Sequence, residues 1–167
     1  MIILGIDPGT ANIGYGIIRV SCRQTGKRKT RRSTKTLKCL KFGCIKTAPV
    51  ERFSRRLIVL SKELRKIVKT YQPKIVAVEK LFFFKNKKTV IEVSEATGVI
   101  LLVLEKMKIP VVEYYPLQVK KFLTSNGRAD KKDVQNKVEK TLKLNNGRIK
   151  DDAADALALA LYAAHQI

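Results

Sequence analysis

Residues 2–9 read Ile-Ile-Leu-Gly-Ile-Asp-Pro-Gly, an apolar run that ends in a carboxylate and a turn. A short apolar run closed by Pro-Gly is typical of a buried strand followed by a tight turn. Residues 13–20 and 37–46 predict two further strands, whereas residues 51–71 carry apolar residues at steps of three and four, which predict an amphipathic helix. The chain therefore begins with three strands before its first helix.

The rest of the chain alternates strands with helices. Strands are predicted at 74–79 and 109–115, and helices at about 88–107, 116–124, 131–142 and 152–166. Three consecutive strands followed by helix-separated strands predict an α/β fold. Its mixed five-stranded sheet is antiparallel first and parallel later, with helices on both faces. No Pro/Gly-rich linker or internal repeat divides the sequence, so residues 1–167 are interpreted as a single domain.

The charge of the chain indicates a polyanionic partner. Its 167 residues include 35 Lys or Arg and 14 Asp or Glu, which give a formal net charge of +21. Between Asp7 and Glu51 there is no acid but there are 11 basic residues, and the stretch at about 21–36 is interpreted as a basic loop between strands. Because Lys and Arg displace counterions from phosphate, nucleic acid is the expected partner.

Other features of the sequence exclude several classes of protein. No apolar run reaches the roughly 18–20 residues of a membrane span, and the first residues lack the basic leader of a secretory signal. Cys22, Cys39 and Cys44 fit neither a zinc spacing nor a disulfide framework. This pattern favours reduced thiols and a cytoplasmic location.

Four carboxylates stand at positions where a single site could form. Asp7 ends the first strand and Glu79 ends the fourth, so the two meet at one sheet edge if those strands are parallel neighbours. Asp152 and Asp155 are three residues apart at the start of the last helix and share one of its faces. Clustered carboxylates repel one another unless a cation lies among them, and their oxygens suit Mg²⁺ or Mn²⁺. An acidic metal site inside a basic protein is the combination that a nuclease requires.

Each of these carboxylates also has a simpler interpretation. Asp7 before Pro-Gly could only form a turn, and Glu79 could pair with a nearby Lys. Asp152 could cap the last helix, a role that Asp151 suits as well. Asp155 is harder to explain in this way, because a carboxylate on the Ala-rich face that packs against the sheet needs a partner.

An ordered set of motifs resembles the RuvC family, the bacterial Holliday junction resolvases. The motifs are Gly5-Ile6-Asp7-Pro8-Gly9-Thr10, Gly14-Tyr15-Gly16, Val78-Glu79 with Phe82, Gly98-Val99, Glu113-Tyr114, Gln118-Val119-Lys120 and Asp152-Ala153-Ala154-Asp155-Ala156-Leu157. The resemblance implies a ribonuclease H-like fold and a homodimeric endodeoxyribonuclease. Such an enzyme uses divalent metal to cut two opposing strands of a four-way junction, in recombination and repair. The resemblance also implies the RuvA–RuvB branch-migration complex as a partner.

The resemblance assigns roles to individual residues. Asp7, Glu79, Asp152 and Asp155 match the catalytic acids that bind metal, and two ions of Mg²⁺ or Mn²⁺ are expected in each site. The expected DNA-binding residues are Phe82, which stacks on an unpaired base, Lys120 and Lys131 near the cut phosphate, and Lys85, Lys87 and Lys88 on backbone phosphates. The helix at about 88–107 is where the family dimerises, although its apolar residues also suit core packing.

Other functions stay open on the sequence alone. The same acids would serve a ribonuclease H-like nuclease that cuts flaps or RNA–DNA hybrids, and a basic protein of this fold could bind branched DNA without cutting it. The segment Asp7-Pro8-Gly9-Thr10 also resembles the phosphate loop of sugar kinases and actin-like ATPases. Those proteins need two such domains, and 167 residues hold only one. Phe82 itself could be an ordinary core residue.

Overall fold

The computed structural model describes residues 1–25, 32–80, 87–144 and 149–167. Within them the elements are β1 (Ile2–Asp7), β2 (Asn12–Thr25), β3 (Arg32–Lys46), α1 (Phe53–Tyr71), β4 (Ile75–Glu79), α2 (Lys87–Lys106), β5 (Val111–Tyr114), α3 (Pro116–Thr124), α4 (Lys131–Leu142) and α5 (Asp151–Gln166). This is the predicted order of strands and helices. None of the helices described is both long and apolar enough to cross a membrane.

The strands form one mixed sheet in the order β3-β2-β1-β4-β5. β2 runs antiparallel to both β1 and β3, whereas β4 runs parallel to both β1 and β5. The predicted fold class, a mixed five-stranded α/β sheet with helices on both faces, is therefore confirmed. Ile6 pairs with Val78 across β1 and β4, so the next residues, Asp7 and Glu79, end neighbouring strands at the same sheet edge.

The helices cover the two faces of the sheet in separate groups. On one face, α1 and α2 bury Leu64 and Ile100 against Leu4 and Ile6 of β1. On the other face, α3, α4 and α5 form a second core in which Leu157 is fully buried. Burial of one such side chain contributes about 1.5–3 kcal/mol, so both layers hold the central strands in place.

α5 lies unusually close to the sheet because the strands beneath it carry glycine. A Cβ atom at Gly5 would collide with the carbonyl oxygen of Ala156, and one at Gly14 would collide with the carbonyl oxygen of Asp152. The helix contributes small side chains to this contact, since Ala156 and Ala160 are fully buried. The close approach brings the start of α5 next to the end of β1.

The basic stretch at about 21–36 is strand at 21–25 and again at 32–36, so its interpretation as a loop was wrong for these residues. Ser21 pairs with Thr36 and Thr25 with Arg32, whereas the register between β1 and β2 ends at Arg19. The two strands therefore extend past the sheet as a two-stranded ribbon. Neither face of such a ribbon has to be apolar, so no alternation of apolar and polar residues reveals it. The connection at 26–31 lies outside the described residues.

Candidate active site

A cavity of about 280 Å³ opens at the sheet edge where β1 and β4 end. Three of the four predicted acids, Asp7, Glu79 and Asp155, line this cavity together with Lys120 and Lys131. We refer to it as the acidic cavity. Its five charged residues come from five different elements, so only the folded chain brings them together.

The sheet and α5 place the three carboxylates. Asp7 and Glu79 are the last residues of β1 and β4, which are parallel neighbours. Asp155 lies about one turn into α5, the helix that Gly5 and Gly14 allow to approach the sheet. The sequence predicts both arrangements, from the strand ends and from the position of Asp155 on the sheet-facing side of its helix.

The two lysines are placed by the starts of α3 and α4. Asp130 caps α4 by accepting a hydrogen bond from the backbone N–H of Asp133 at 2.8 Å, and its own N–H donates to Asp133 Oδ2 at 3.2 Å. Lys131 is therefore the first residue of α4. Lys120 lies in α3, which begins at Pro116, a residue that suits the first turn of a helix.

Asp151 takes a different position from the cap that the sequence suggested. It is the first residue of α5, and Lys150 stands at the N-cap without a side-chain hydrogen bond. Asp151 Oδ2 lies 4.0 Å from Lys131 Nζ, and both side chains are largely exposed. An exposed pair of this kind contributes little stability, so Lys131 stays available to the acidic cavity.

Burial and mutual repulsion raise the pKa of all three carboxyls that line the acidic cavity. Burial raises the pKa of Asp7 well above its ordinary range, and the charges of Glu79, Asp155 and Asp152 raise it further. Burial, with the charge of Asp155 as the second cause, raises the pKa of Glu79 to about 7, although the charges of Lys120 and Lys131 lower it. Burial likewise raises the pKa of Asp155. At neutral pH these groups therefore favour a proton or an added cation.

Asp152 is close to the acidic cavity but does not line it. It raises the pKa of Asp7 and of Asp155, which shows that its charge is near both. Its Oδ2 atom lies 4.0 Å from Cys44 Sγ, whose thiol donates toward it. The four predicted acids are thus neighbours, although the cavity holds only three of them.

The donor set of the acidic cavity suits a hard divalent cation. Carboxylate oxygens are the ligands that Mg²⁺ and Mn²⁺ prefer. Among the His, Cys, Asp and Glu side chains of the residues described, no group of three is placed to hold a metal ion by itself. Mg²⁺ usually keeps several waters and takes only one or two protein carboxylates together with substrate phosphate. The cavity therefore fits an ion that binds along with a phosphate.

A buried arginine that the sequence analysis missed holds the loop after Asp7. Thr47 Oγ1 donates to the carbonyl oxygen of Thr10 at 2.7 Å, and Arg56 Nε donates to Thr47 Oγ1 at 3.0 Å. Arg56 is only 8% exposed and its nearest carboxylate oxygen lies 4.0 Å away on Glu92. Helical spacing was the sequence feature that could have identified Arg56 as buried, because Arg56 lies four residues before Leu60 on the buried face of α1.

Several predicted DNA-binding residues cannot be placed in the site. Phe82 and Lys85 lie outside the described residues, and Lys87 and Lys88 are described only as the first two residues of α2. Their roles stay predictions. Cys22, Cys39 and Cys44 are all free.

Comparison with known proteins gives consistent results over nearly the whole chain. Residues 3–163 match the family model described as crossover junction endodeoxyribonuclease RuvC. A protein of that name from Petrotoga mobilis is 43% identical over 160 residues, which cover 96% of this chain and 91% of the relative. A protein of the same name from Caldicellulosiruptor saccharolyticus is 43% identical over 161 residues, which cover 96% of this chain and 90% of the relative.

Solved structures agree with the sequence comparison. Thermus thermophilus RuvC has a TM-score of 0.82 at 30% identity, and the match covers 99% of this chain and 95% of the other. The same protein in complex with a Holliday junction substrate has a TM-score of 0.83 at 29% identity, with 99% and 96% covered.

Proposed function

Because the chain belongs to the RuvC family of crossover junction endodeoxyribonucleases, we propose that it resolves four-way DNA junctions by cutting two opposing strands at the acidic cavity. The resemblance found in the sequence motifs is thereby confirmed. The observation that carries the proposal is the convergence of Asp7, Glu79 and Asp155 with Lys120 and Lys131 in one cavity of a chain with net charge +21. The basic surface attracts the DNA, and the cavity provides the chemistry.

The residues of the cavity divide the work of phosphodiester hydrolysis. Asp7, Glu79 and Asp155 would hold Mg²⁺ or Mn²⁺ together with a DNA phosphate, and Asp152 would support them from the side of Cys44. Two such ions would polarise the scissile phosphodiester and would lower the pKa of the attacking water. Because these carboxylates would coordinate the ions where β1 and β4 end, they would also fix the position of the cut.

The two lysines act on the phosphate rather than on the metal. Lys120 and Lys131 already oppose the rise in pKa of Glu79 and Asp155, so their ammonium groups face the same space as the carboxylates. They stabilise the negative charge that develops on the phosphate oxygens during cleavage. Their charge also keeps the cavity from repelling a polyanion.

The remaining predicted contacts hold the DNA near the cavity. Phe82 stacks on an unpaired base at the junction centre, a contact that contributes about 1–3 kcal/mol. Lys85, Lys87 and Lys88 bind backbone phosphates without reading sequence. Affinity should fall steeply as salt rises.

The protein acts as a homodimer joined through α2, since two coordinated cuts need two sites. Ile91 and Leu102 of α2 are 68% and 54% exposed. They are separated by three helical turns, so they lie on one face of the helix. Gly98 lies between them, and a Cβ there would meet no atom of the described residues within 4 Å.

The dimer is tested by sedimentation of Ile91→Glu beside Ile58→Glu, since both isoleucines are 68% exposed and only Ile91 lies on α2. We expect Ile91→Glu to sediment as a monomer and Ile58→Glu as a dimer. If both variants stay dimeric, α2 does not form the interface.

The enzyme works in the cytoplasm together with the RuvA–RuvB branch-migration complex. The support is membership of the family and a sequence whose three cysteines are free thiols. Addition of purified RuvA–RuvB to a junction-cleavage reaction is expected to change the rate of resolution. An unchanged rate over a range of RuvA–RuvB concentrations would contradict this partnership.

The nuclease proposal is tested with a synthetic four-way junction in Mg²⁺ or Mn²⁺. Asp7→Asn should abolish cutting but keep junction binding, because it removes a cation ligand and leaves the basic surface intact. Glu113→Gln is the matched control, since Glu113 is an exposed carboxylate on the neighbouring part of the sheet. Equal cutting by wild type and Asp7→Asn would overturn the proposal. Duplex, flap and RNA–DNA hybrid substrates, assayed in parallel, separate junction resolution from the other nuclease activities.

A further inference from the structure

A second cavity, of about 450 Å³, lies between β2, β3 and α1 and shares no lining residue with the acidic cavity. Three lysines line it, Lys41 and Lys46 from β3 and Lys66 from α1. Tyr15 and Tyr71 also line it and add two hydroxyl groups. We refer to it as the lysine cavity.

The lysine cavity carries positive charge that the protein does not neutralise. Glu63 is the one carboxylate among its lining residues, against three ammonium groups. The ion pairs found among the described residues are Arg56–Glu92 and Lys131–Asp151, so none of the three lysines has a carboxylate partner within that part of the chain. All three are exposed. Ammonium and hydroxyl donors around one cavity are the groups that bind phosphate oxygens.

The sheet register places the lysine cavity at a definable distance from the cut. Tyr15 pairs with Ile6, the residue before Asp7, and also with Gly43 of the edge strand β3. β3 lies two strands from β1, and the cavity is on the α1 face. With strands about 4.8 Å apart and packed layers about 10 Å apart, it lies roughly 10–20 Å from Asp7. Along the axis of a duplex each strand advances 3.4 Å per nucleotide, so a duplex arm that runs this distance covers about three to six nucleotides.

We propose that the lysine cavity binds a backbone phosphate of the junction about three to six nucleotides from the cut. The proposal rests on the proposed function, because it assumes that junction DNA lies across the acidic cavity. The contact fixes one arm of the junction relative to the sheet and reads no base. The phosphate of a free nucleotide carries the same chemistry, and the experiment below separates the two sources.

The test compares two variants that lose the same charge. Lys41→Gln/Lys66→Gln removes two ammonium groups from the lysine cavity. Lys62→Gln/Lys69→Gln removes two exposed ammonium groups from α1 that do not line it. Each variant and the wild type are titrated with junctions in which a single phosphate, one to eight nucleotides from the cut, is replaced by a neutral methylphosphonate.

We expect the cavity variant to bind the unmodified junction roughly tenfold more weakly than the control variant, which corresponds to about 1.4 kcal/mol. When log affinity is plotted against log salt, the slope for the cavity variant should be shallower than that for the control variant by about one unit, which is the slope for one phosphate contact. A methylphosphonate about three to six nucleotides from the cut should weaken the wild type and the control variant, but not weaken the cavity variant further.

Equal affinities of the two variants at every salt concentration would overturn the inference. So would methylphosphonate effects that are the same in the cavity variant and the wild type at every position. A third outcome would also overturn the inference. Thymidine monophosphate would cause saturable chemical-shift changes at Tyr15 and Tyr71, while the methylphosphonates would have no position-dependent effect. This result would assign the cavity to a free nucleotide. A wild-type protein that binds no junction would overturn the proposed function as well, whereas junction binding with equal variants overturns this inference alone.

Discussion

Gly14 of β2 lies directly beneath the backbone of Asp152, so that a Cβ at Gly14 would collide with the carbonyl oxygen of Asp152. That carbonyl belongs to the first turn of α5 and cannot rotate away as a side chain can. Any side chain at this position must therefore lift the start of α5 from the sheet. Because Asp155 is in the next turn, the same movement carries it away from Asp7 and Glu79.

Gly14→Ala is expected to lower junction cleavage about 100-fold, because misplacing a catalytic group by about 1 Å has an effect of that order. The added methyl should also lower the free energy of unfolding by about 1–3 kcal/mol. Both are measurable, by cleavage of a four-way junction and by urea denaturation. Gly127→Ala is the control, since among the described residues its Cβ would meet only the Leu117 side chain, with Cδ1 at 2.9 Å, and Leu117 is 63% exposed and can move.

Lys131→Gln is expected to slow cleavage by about 100-fold while changing junction affinity only slightly, because it removes a charge that acts on the reacting phosphate. The measurement is single-turnover cleavage at saturating protein. Lys132→Gln, the adjacent exposed lysine of α4, loses the same charge and should keep its rate. Equal rates in the two variants would show that Lys131 contributes only to the general positive field.

The pKa of Glu79 predicts how the metal-free protein responds to pH. Its value of about 7 in the folded chain lies above the ordinary 4.5, so the folded state keeps a proton that the unfolded state releases. The stability that this proton provides is fully present below pH 4.5 and is lost as pH rises through about 7. The change amounts to at most about 3 kcal/mol.

Thermal unfolding in a chelator between pH 4.5 and 7.5 measures this effect. The Tm of the wild type should fall across that range, and the slope should be flatter in Glu79→Gln, whose side chain does not titrate. Glu113→Gln, which alters an exposed carboxylate, should follow the wild type. Parallel curves for all three proteins would show that Glu79 titrates normally in the folded chain.

Thr47→Val is expected to lower the free energy of unfolding by about 1–3 kcal/mol, because it leaves the buried Arg56 guanidinium without its acceptor and the carbonyl of Thr10 without its donor. Urea denaturation provides the measurement. Thr47→Ser keeps the hydroxyl and should lose much less stability. If Ser and Val are equally destabilising, the methyl group of Thr47 matters more than its hydroxyl.

Much of the fold could be predicted from sequence because the sheet is buried on both faces. The apolar run that ends at Asp7 and the helical spacing of Leu60 and Leu64 each report a buried surface. The strands at 21–25 and 32–36 carry no apolar pattern that indicates a buried surface, since they pair beyond the end of β1. Their hydrogen bonds are made by backbone groups and leave no side-chain pattern.

The candidate site was predictable where a carboxylate coincided with the end of an element. Asp7, Glu79 and Asp155 satisfy that condition and line one cavity. Asp152 shares a helix face with Asp155 but lies toward Cys44, a difference that depends on how α5 is rotated over the sheet. The lysine cavity was not predictable, because its residues come from β2, β3 and α1 and no spacing relates them. Helical spacing places Arg56 on the buried face of α1, but its hydrogen bond to Thr47, after the end of β3, leaves no such pattern.

The close packing of α5 on Gly5 and Gly14 also makes the acidic cavity depend on the last helix of the chain. Asp155 lies beside Asp7 and Glu79 only when α5 is packed on the sheet. Any change that weakens the contact between α5 and these glycines therefore acts on the proposed metal site and on the fold together.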